Sequence, residues 1–334
     1  MRKANDAITD IAGIRVGHWS DRRAATGCTV ILCEKGAVAG IDVRGGAPGT
    51  RESSLLRPEA LVQQVHAVFL TGGSAYGLDV GSGIMRYLEE RGVGFHYSNA
   101  VVPIVCGAVL FDLNVGRADV RPTAESGYQA CLAAKSGRVA QGSVGAGTGA
   151  AVAKVRTVKH SLKGGIGAAA ERIDGLVVAA IVAVNAFGEI VDSATGQVIA
   201  GPRHAYRQAG GAPGRFDNTL DLICEAGPSA TLPLTNTTIG VVATNATLTK
   251  TQATAVAQMA HDGIARAVRP AHSPVDGDCI FALSTCERPH PDNLLLIGAF
   301  AARAVERAIL NAIHCATTLA GIPSASDWVA GAEK

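Results

Sequence analysis

The sequence predicts an α+β sandwich, with helices packed on layered sheets, rather than a doubly wound parallel sheet. Predicted strands and helices occur in blocks along the chain and do not alternate strictly. Hydrophobic residues make up 48% of the 334 residues, and 40 glycines with few aromatic residues are typical of a tightly packed core of small side chains. This length allows one large domain or two closely packed ones.

The first part of the chain is expected to form short strands and helices around several glycine turns. The glycine-rich loop over 45–52 is expected to let the backbone approach another element or a ligand closely. The expected strands cover 14–18, 27–33, 40–44, 68–71, 101–105 and 109–113, and the expected helices cover 59–65, 78–91 and 124–136.

The second part is expected to contain a central strand from residue 239, where β-branched residues are dense. Further strands are expected over 151–156, 177–184, 188–191 and at the end of 274–284, with helices over 250–267 and from 298 toward 319. Residues 196–229 are interpreted as an irregular connector that tolerates a chain break. Glycine spacing over 142–150 matches neither the dinucleotide fingerprint nor the Walker loop, so it indicates close packing.

Charge and hydropathy argue against several classes of partner. The net charge is +2 and no basic run is present, which argues against nucleic-acid binding. No apolar stretch reaches the roughly 18 residues that span a bilayer, and the N-terminus lacks the apolar segment of a secretory signal. The 8 cysteines form no Cys-x-x-Cys pair and are interpreted as reduced and mostly buried. We therefore expect a cytoplasmic protein with neither a nucleic-acid nor a membrane partner.

The polar run Asn236, Thr237 and Thr238 before the central strand is the first candidate site. A hydroxyl held against the preceding carbonyl can attack it, so Thr237 is a candidate for an N→O acyl shift that ends in cleavage after Asn236. The freed α-amine of Thr237 can then act as base for its own hydroxyl. The same run is also an ordinary turn into a strand, because these side chains bond their own backbone.

Polar side chains in apolar surroundings are the other candidates. Lys154 and Asn185 lie in or at the end of apolar runs, where an unpaired polar group costs kilocalories. The Asp276-Gly-Asp278 turn, with His272 upstream, has three interpretations. It is a metal site, a turn without further role, or a pair of carboxylates that orient the ammonium of a nucleophile. The residues alone leave these three open.

A set of motifs extends over nearly the whole chain. It comprises Asp42-Val-Arg-Gly-Gly-Ala-Pro-Gly-Thr-Arg-Glu52, Leu70-Thr-Gly-Gly-Ser-Ala-Tyr-Gly-Leu-Asp79, Gly145-Ala-Gly-Thr-Gly149 with Lys154, Asn185 before Gly188, Asn236-Thr-Thr-Ile239 and Asp276-Gly-Asp278. Together these motifs resemble the self-processing aminopeptidase family of L-aminopeptidase/D-amidase-esterase, β-peptidyl aminopeptidases, nylon-oligomer endo-hydrolase and a pantetheine hydrolase.

The resemblance implies a four-layer αββα sandwich like that of N-terminal-nucleophile hydrolases, in a single domain over 1–334. It implies cleavage between Asn236 and Thr237 into an α chain, 1–236, and a β chain, 237–334, with Thr237 as the nucleophile. Asn185 matches an oxyanion donor, Tyr76 matches a tyrosine that helps stabilise the tetrahedral intermediate, and Lys154, Asp276 and Asp278 match the charged group around the threonine. No metal or organic cofactor is implied, and a homo-oligomer, a tetramer of αβ pairs, is expected.

The implied activity is hydrolysis of amide bonds in short peptides or peptide-like amides through an acyl-enzyme. Aminopeptidase members hold the substrate ammonium with a carboxylate expected near Val102 to Gly107, and this stretch has none. An amide hydrolase that does not require a free α-amine is therefore expected. The alternatives are an acyltransferase of the ornithine-acetyltransferase type and an uncleaved binding protein, in which Thr237 and Lys154 are only polar residues of the core.

Overall fold

The computed structural model describes residues 5–204, 214–228, 236–288 and 293–331. The strands are β1 (Arg15–Asp21), β2 (Thr26–Val43), β3 (Thr50–Arg51), β4 (Val65–Thr71), β5 (Phe95–Tyr97), β6 (Ala100–Val102), β7 (Val105–Val109), β8 (Ala151–Val152), β9 (Leu162–Lys163), β10 (Gly165–Ile173), β11 (Leu176–Asn185), β12 (Glu189–Val191), β13 (Val198–Ala200), β14 (Thr237–Thr244), β15 (Val268–Arg269) and β16 (Cys279–Ser284). The helices are α1 (Val80–Glu89), α2 (Ala124–Leu132), α3 (Thr219–Ala226), α4 (Lys250–Ala267), α5 (Leu294–His314) and α6 (Ala325–Ala330). None of the helices in the described ranges combines the length and apolarity needed to cross a bilayer.

Nine strands form one continuous arrangement in the order β10, β11, β14, β16, β2, β4, β7 and β3, with β1 paired to β2. Strand β2 is 18 residues long and joins the two halves of this arrangement. Its first part pairs with β1 and β4, its second part pairs with β16, and the β4 register shifts between Leu32 and Ala37. One long strand therefore belongs to both sheet layers.

The two sheet layers enclose an apolar core, and helices cover both outer faces. Side chains such as Leu70, Ile181 and Phe281 fill the space between the layers. Helices α1 and α2 pack on one outer face against residues such as Phe69, and α4 and α5 pack on the other against residues such as Val182. These four layers confirm the predicted αββα sandwich. Strand β14 is buried on both faces, as its β-branched residues predict.

Some expected elements were wrong because tertiary contacts override local preference. Residues 59–65, expected to be helical, form turns and an extended segment, and the Nζ of Lys250 binds the carbonyl oxygens of Ala60 and Val62, each at 3.1 Å. The strand expected over 151–156 ends after two residues, because Ala153 has a left-handed backbone with φ 60°. The strands expected over 27–33 and 40–44 are both part of β2.

Two further elements were not expected. Strand β10 is rich in glycine and alanine, and a Cβ atom on Gly167 would lie 2.0 Å from the carbonyl oxygen of Ala308 in α5, so small residues let the helix pack there. Helix α3 lies inside the expected connector over 196–229, of which 205–213 and 229 are outside the described residues. The strand expected over 109–113 was wrong, because only Val109 lies in a strand, as the last residue of β7.

Pairing among β11, β14 and β16 brings three candidate segments to one edge of a sheet. Strand β11 runs antiparallel to β14 and ends at Asn185, which lies opposite Thr237 at the start of β14. Strand β16 runs parallel to β14, and just before these strands begin Asn236 pairs with Asp276. The end of one strand and the starts of two others therefore meet at this edge.

Candidate active site

Thr237 lies at this edge, and its side chain contacts the peptide bond between Asn236 and Thr237. The residue is 4% exposed, and its Oγ donates a hydrogen bond to the carbonyl oxygen of Asn236. The backbone N–H of Gly277 donates to the same carbonyl oxygen at 3.0 Å. The Asn236–Thr237 bond is therefore held with a hydroxyl against its carbonyl group and a second donor on the carbonyl oxygen.

Gly277 fits this position because it has no side chain. A Cβ atom there would lie 2.5 Å from the carbonyl oxygen of Ala47 and 3.0 Å from the Oγ of Thr237. A Cβ atom on Gly45 would lie 2.3 Å from the backbone nitrogen of Asp278. The glycine-rich loop thus packs against the Asp-Gly-Asp turn with the close backbone approach that its glycines predict.

The ammonium group of Lys154 lies inside the protein beside Asn185. Lys154 is 1% exposed, and its Nζ lies 2.9 Å from the Oδ1 atom of Asn185. Burial lowers the pKa of Lys154 to about 7, although the charges of Asp276 and Asp112 oppose this shift. An amine with this pKa is present in both protonation states near neutral pH, so Lys154 can donate or accept a proton.

Hydrogen bonds on both of its polar atoms fix the side chain of Asn185. Its Oδ1 accepts the backbone N–H of Ala151 at 3.0 Å in addition to the Lys154 ammonium. Its Nδ2 donates to the carbonyl oxygen of Phe111 at 3.0 Å. This fully buried amide is therefore paired, as buried polar groups usually are. It is held in one orientation at the end of β11, opposite Thr237.

Asp276 is a buried carboxylate in the same cluster. It accepts the backbone N–H groups of Phe187 at 3.3 Å and Ser273 at 3.2 Å. Burial and the neighbouring charge of Asp278 raise the pKa of Asp276 to about 6. The pKa values of Asp276, about 6, and Lys154, about 7, therefore lie close together. A carboxylate and an amine with such similar pKa values can exchange a proton near neutral pH.

Asp278 is hydrogen-bonded through both carboxylate oxygens. Its Oδ1 accepts the backbone N–H of Thr238 at 2.6 Å, and its Oδ2 lies 3.2 Å from the backbone nitrogen and 2.9 Å from the Nδ1 of His272. Asp278 therefore holds the backbone directly after Thr237. Within the described ranges, no group of three or more His, Cys, Asp or Glu side chains is arranged to hold a metal ion.

Tyr76 is not part of this buried group. It lies on a short 3-10 helix, Ser74–Asp79, and is 62% exposed, with the guanidinium of Arg121 4.0 Å from its ring centroid. The preceding Gly73 is tied to the interior, because its N–H donates to Asp112 at 2.7 Å. The structure thus brings together Thr237, Asn185, Lys154, Asp276 and Asp278, and places Tyr76 at the surface.

Sequence reasoning did not single out Gly277, Asp112 or Lys163. Lys163 is fully buried, and its Nζ donates to the carbonyl oxygens of Thr148, at 2.9 Å, and Ala150. The apolar residues before Lys154 singled it out, whereas Lys163 comes shortly after the polar residues Lys159, His160 and Ser161 and gives a weaker signal. Gly277 contributes a backbone N–H, and a backbone group cannot be recognised from the type of the residue.

Comparisons with known proteins show the family of the chain. The chain matches Peptidase family S58 over residues 6–326. An uncharacterized aminopeptidase of Mycobacterium leprae is 42% identical over 99% of this chain and 96% of its own length. A 6-aminohexanoate-oligomer endohydrolase of Kocuria sp. is 30% identical over 91% of this chain and 84% of its own length. The solved L-aminopeptidase D-Ala-esterase/amidase of Ochrobactrum anthropi, a variant of the Ntn hydrolase fold, superposes with a TM-score of 0.69 at 20% identity, covering 96% of this chain and 88% of that one.

The family match begins at residue 6 and ends at residue 326, so it includes every residue of the candidate site. One relative is named an aminopeptidase and the other an oligomer endohydrolase, and both align with most of this chain. The chain therefore belongs to Peptidase family S58 and is a hydrolase of the aminopeptidase and amidase type.

Proposed function

We propose that the chain cleaves itself between Asn236 and Thr237 and then uses Thr237 as an N-terminal nucleophile. Its substrates in this proposal are amide bonds of short peptides or peptide-like amides. The observation that carries the proposal is the contact of Thr237 Oγ with the Asn236 carbonyl, whose oxygen also accepts the Gly277 N–H. A buried hydroxyl already held against its target needs little reorganisation to attack it.

Self-cleavage proceeds by an acyl shift followed by hydrolysis. The Thr237 Oγ adds to the carbonyl carbon of Asn236, and negative charge develops on the oxygen that Gly277 already contacts. The C–N bond breaks, the hydroxyl proton is transferred to the departing nitrogen, and an ester joins Asn236 to Thr237. Lys154 and Asp276, with pKa values of about 7 and 6, support this proton transfer. Water then hydrolyses the ester, leaving a carboxylate on Asn236 and a free hydroxyl and amine on Thr237.

Turnover reuses the same hydroxyl on a substrate amide. The new α-amine of Thr237 takes the proton of its own hydroxyl, the oxygen attacks the substrate carbonyl, and the proton passes to the leaving amine. Water then releases the acyl group from the acyl-enzyme. Asn185, held opposite Thr237, is the proposed donor to the substrate oxyanion.

The two proposed products stay associated because strands of the β chain are inserted between strands of the α chain. Strands β14 and β16, which follow the cleaved bond, lie between β11 and β2, which precede it. Separating the α chain, 1–236, from the β chain, 237–334, requires breaking three rows of strand pairing, β11 with β14, β2 with β16 and β12 with β15, and opening the core between the layers. The homo-oligomer of such pairs and the cytoplasmic location stay predictions.

The proposed substrate is an amide that need not carry a free α-amine. No acidic residue occurs from Val102 to Gly107, the stretch in which the family resemblance leads us to expect the carboxylate that binds the substrate ammonium in aminopeptidase members. The relative from Kocuria sp. is named for endohydrolysis of 6-aminohexanoate oligomers, a substrate class that fits this departure. Linear oligoamides with blocked amino ends are therefore the first substrates to assay.

The test compares two neighbouring isosteric variants with the wild-type protein. Thr237→Val removes the proposed nucleophile, and Thr238→Val removes the adjacent buried hydroxyl, which has no hydrogen-bond partner within the described residues. Intact mass and N-terminal sequencing are expected to show two chains for the wild type and Thr238→Val, the smaller beginning Thr-Thr-Ile-Gly or Thr-Val-Ile-Gly. Thr237→Val is expected to stay whole and to lack amidase activity. A wild-type chain of 34.0 kDa that stays intact and hydrolyses no amide contradicts the proposal.

A further inference from the structure

His272 lies against the candidate site without touching the bond proposed to break. Its backbone N–H and its Nδ1 both lie within hydrogen-bond distance of Asp278 Oδ2, at 3.2 and 2.9 Å. The other oxygen of Asp278 holds the backbone N–H of Thr238 at 2.6 Å. A short path of hydrogen bonds therefore joins the imidazole to the residue that follows Thr237.

The acceptors around two neighbouring imidazoles assign their protons. Asp278 offers only carboxylate oxygens, so the Nδ1 of His272 carries a hydrogen and donates it. The Nε2 of the fully buried His261 lies 3.1 Å from the carbonyl oxygen of Asp42, which can only accept, so this nitrogen also carries a hydrogen. The remaining nitrogens, Nε2 of His272 and Nδ1 of His261, are buried and have no partner within the described residues. Each ring therefore donates through one nitrogen, and the fixed acceptor beside that nitrogen sets the orientation of the ring.

Packing leaves His272 little freedom to turn away from Asp278. Its ring meets the ring of His261 edge to face, with 4.8 Å between the centroids. Its backbone lies in the left-handed region with φ 54°, which aims the N–H and the side chain at the same carboxylate oxygen. A side chain held from both sides fixes its partner more effectively than a mobile one.

We infer that His272 is a positioning residue for the nucleophile. It holds Asp278 in place through the Nδ1 donor, and Asp278 in turn holds the backbone of Thr238 so that Thr237 stays aligned with its target carbonyl. This inference rests on the proposed function of Thr237. It also gives a role to a histidine that sequence analysis considered only as a metal ligand.

Several charged and titratable groups surround His272 and affect how the cleavage rate depends on pH. Asp278 is its direct partner, and His261 with Asp42 lies on the opposite side. Asp276 is electrostatically coupled to Asp278, and the charge of Lys154 acts on Asp276. Arg44, whose charge acts on His261, completes the group. Loss of the imidazole donor leaves the Asp278 carboxylate with fewer hydrogen bonds, which destabilises its charged form.

The test uses two amide side chains that place their donors differently. His272→Asn keeps an N–H close to the position of Nδ1, whereas His272→Gln places its amide nearer to the position of Nε2. The rate of Asn236–Thr237 cleavage is measured by intact mass from pH 5 to 9, and amidase activity is measured on fully processed protein. His18→Asn is the matched control, because His18 is a half-buried histidine whose Nδ1 lies 2.9 Å from the hydroxyl of Thr29, outside the site.

The expected result is a donor-specific loss. His272→Gln is expected to slow cleavage by about tenfold or more, the effect of losing a hydrogen bond to a charged group. The acid limb of its pH–rate profile moves to higher pH, while His272→Asn stays within about threefold of wild type. Wild-type rates and an unchanged pH profile in His272→Gln, or equal losses in both variants and His18→Asn, overturn the inference. A wild-type chain that never splits instead overturns the proposed function and this inference with it.

Discussion

Lys154 and Lys163 are two buried lysines that differ mainly in what their ammonium groups contact. Both are at most 1% exposed, and burial lowers the pKa of each to about 7. The Nζ of Lys154 meets the Asn185 side chain, opposite Thr237. The Nζ of Lys163 meets the carbonyl oxygens of Thr148 and Ala150.

Burial and a lowered pKa therefore do not distinguish a reactive lysine from a structural one. Perturbed groups are common at functional sites, but ion-pair networks inside proteins shift pKa values as well. The two lysines differ in the partner of the ammonium group. Lys163 binds backbone carbonyl oxygens, which any fixed donor can satisfy. Lys154 binds the side-chain amide of Asn185, which lies opposite the hydroxyl proposed as the nucleophile. Four experiments test this contrast.

The largest expected effect is loss of self-cleavage in Lys154→Met. Methionine has a similar length but no charge, so the proton transfer proposed for Lys154 is lost, and cleavage is expected to slow by about 10³-fold or more. The free energy of unfolding is expected to fall less than in Lys163→Met, because the Asn185 Oδ1 keeps the Ala151 N–H and Asp276 keeps two backbone donors. A time course by intact mass measures the rate, and cleavage at the wild-type rate would show that Lys154 is structural.

Lys163→Met is expected to show the opposite profile. The carbonyl oxygen of Thr148 loses its donor, that of Ala150 keeps only the Gly164 N–H, and Asp112 loses a nearby cation, so the free energy of unfolding falls by about 3 kcal/mol. Urea unfolding in a Thr237→Val background measures this loss on the intact chain, with Lys154→Met in that background as the control. Cleavage in the otherwise wild-type chain is expected to stay within about threefold. Loss of cleavage without loss of stability would break the contrast.

The pH dependence of stability is expected to report both lysines together. Each binds fewer protons in the folded than in the unfolded protein between about pH 7 and its ordinary pKa of 10.5, so the free energy of unfolding rises with pH in this window. Each lysine contributes at most about 1.4 kcal/mol per pH unit. Asp276 acts in the opposite direction, since its raised pKa makes stability fall as pH rises from 3.8 to about 6. Unfolding of Thr237→Val at pH 7.5 to 9.5 should show the rise, and Lys163→Met should remove about half of it.

Tyr76→Phe extends the contrast to an exposed residue and is expected to have the smallest effect. Phenylalanine keeps the ring beside Arg121, and a side chain on a residue that is 62% exposed adds little to stability. If Tyr76 assists the substrate oxyanion, amidase turnover falls by less than about tenfold while self-cleavage stays unchanged. Steady-state amide hydrolysis on fully processed protein measures the amidase turnover, and intact mass measures the rate of self-cleavage. Equal losses in both rates would mean that Tyr76 acts on the fold.

Several features of the site could be predicted because their residue types conflict with their surroundings. Lys154 and Asn185 are polar groups in apolar runs, and the Thr237 hydroxyl precedes a β-branched strand. Such conflicts are visible locally, and the resemblance then supplied roles for Asp276 and Asp278. The layered fold was also predictable, because the order of strands and helices determines how layers can pack.

Other features depend on contacts between distant parts of the chain. The N–H of Gly277 reaches the Asn236 carbonyl because the turn that carries it packs against Ala47, about 230 positions earlier in the chain. Strand β10 has few β-branched residues and forms because β11 and α5 enclose it. His272 was considered as a ligand, and only the structure shows its hydrogen bonds to Asp278.

The interleaving of β14 and β16 with β11 and β2 has a consequence for the molecularity of folding. An intact chain refolds as a single molecule, so the midpoint of its unfolding does not depend on protein concentration. Once the Asn236–Thr237 bond is cut, unfolding releases two separate polypeptides, and reassembly becomes a second-order reaction. The midpoint of unfolding then rises with protein concentration. Each fragment then lacks the central neighbours of its own strands. The proposed cut would thus replace unimolecular refolding by association of two fragments, so the proposal requires that the chain folds before it is cleaved.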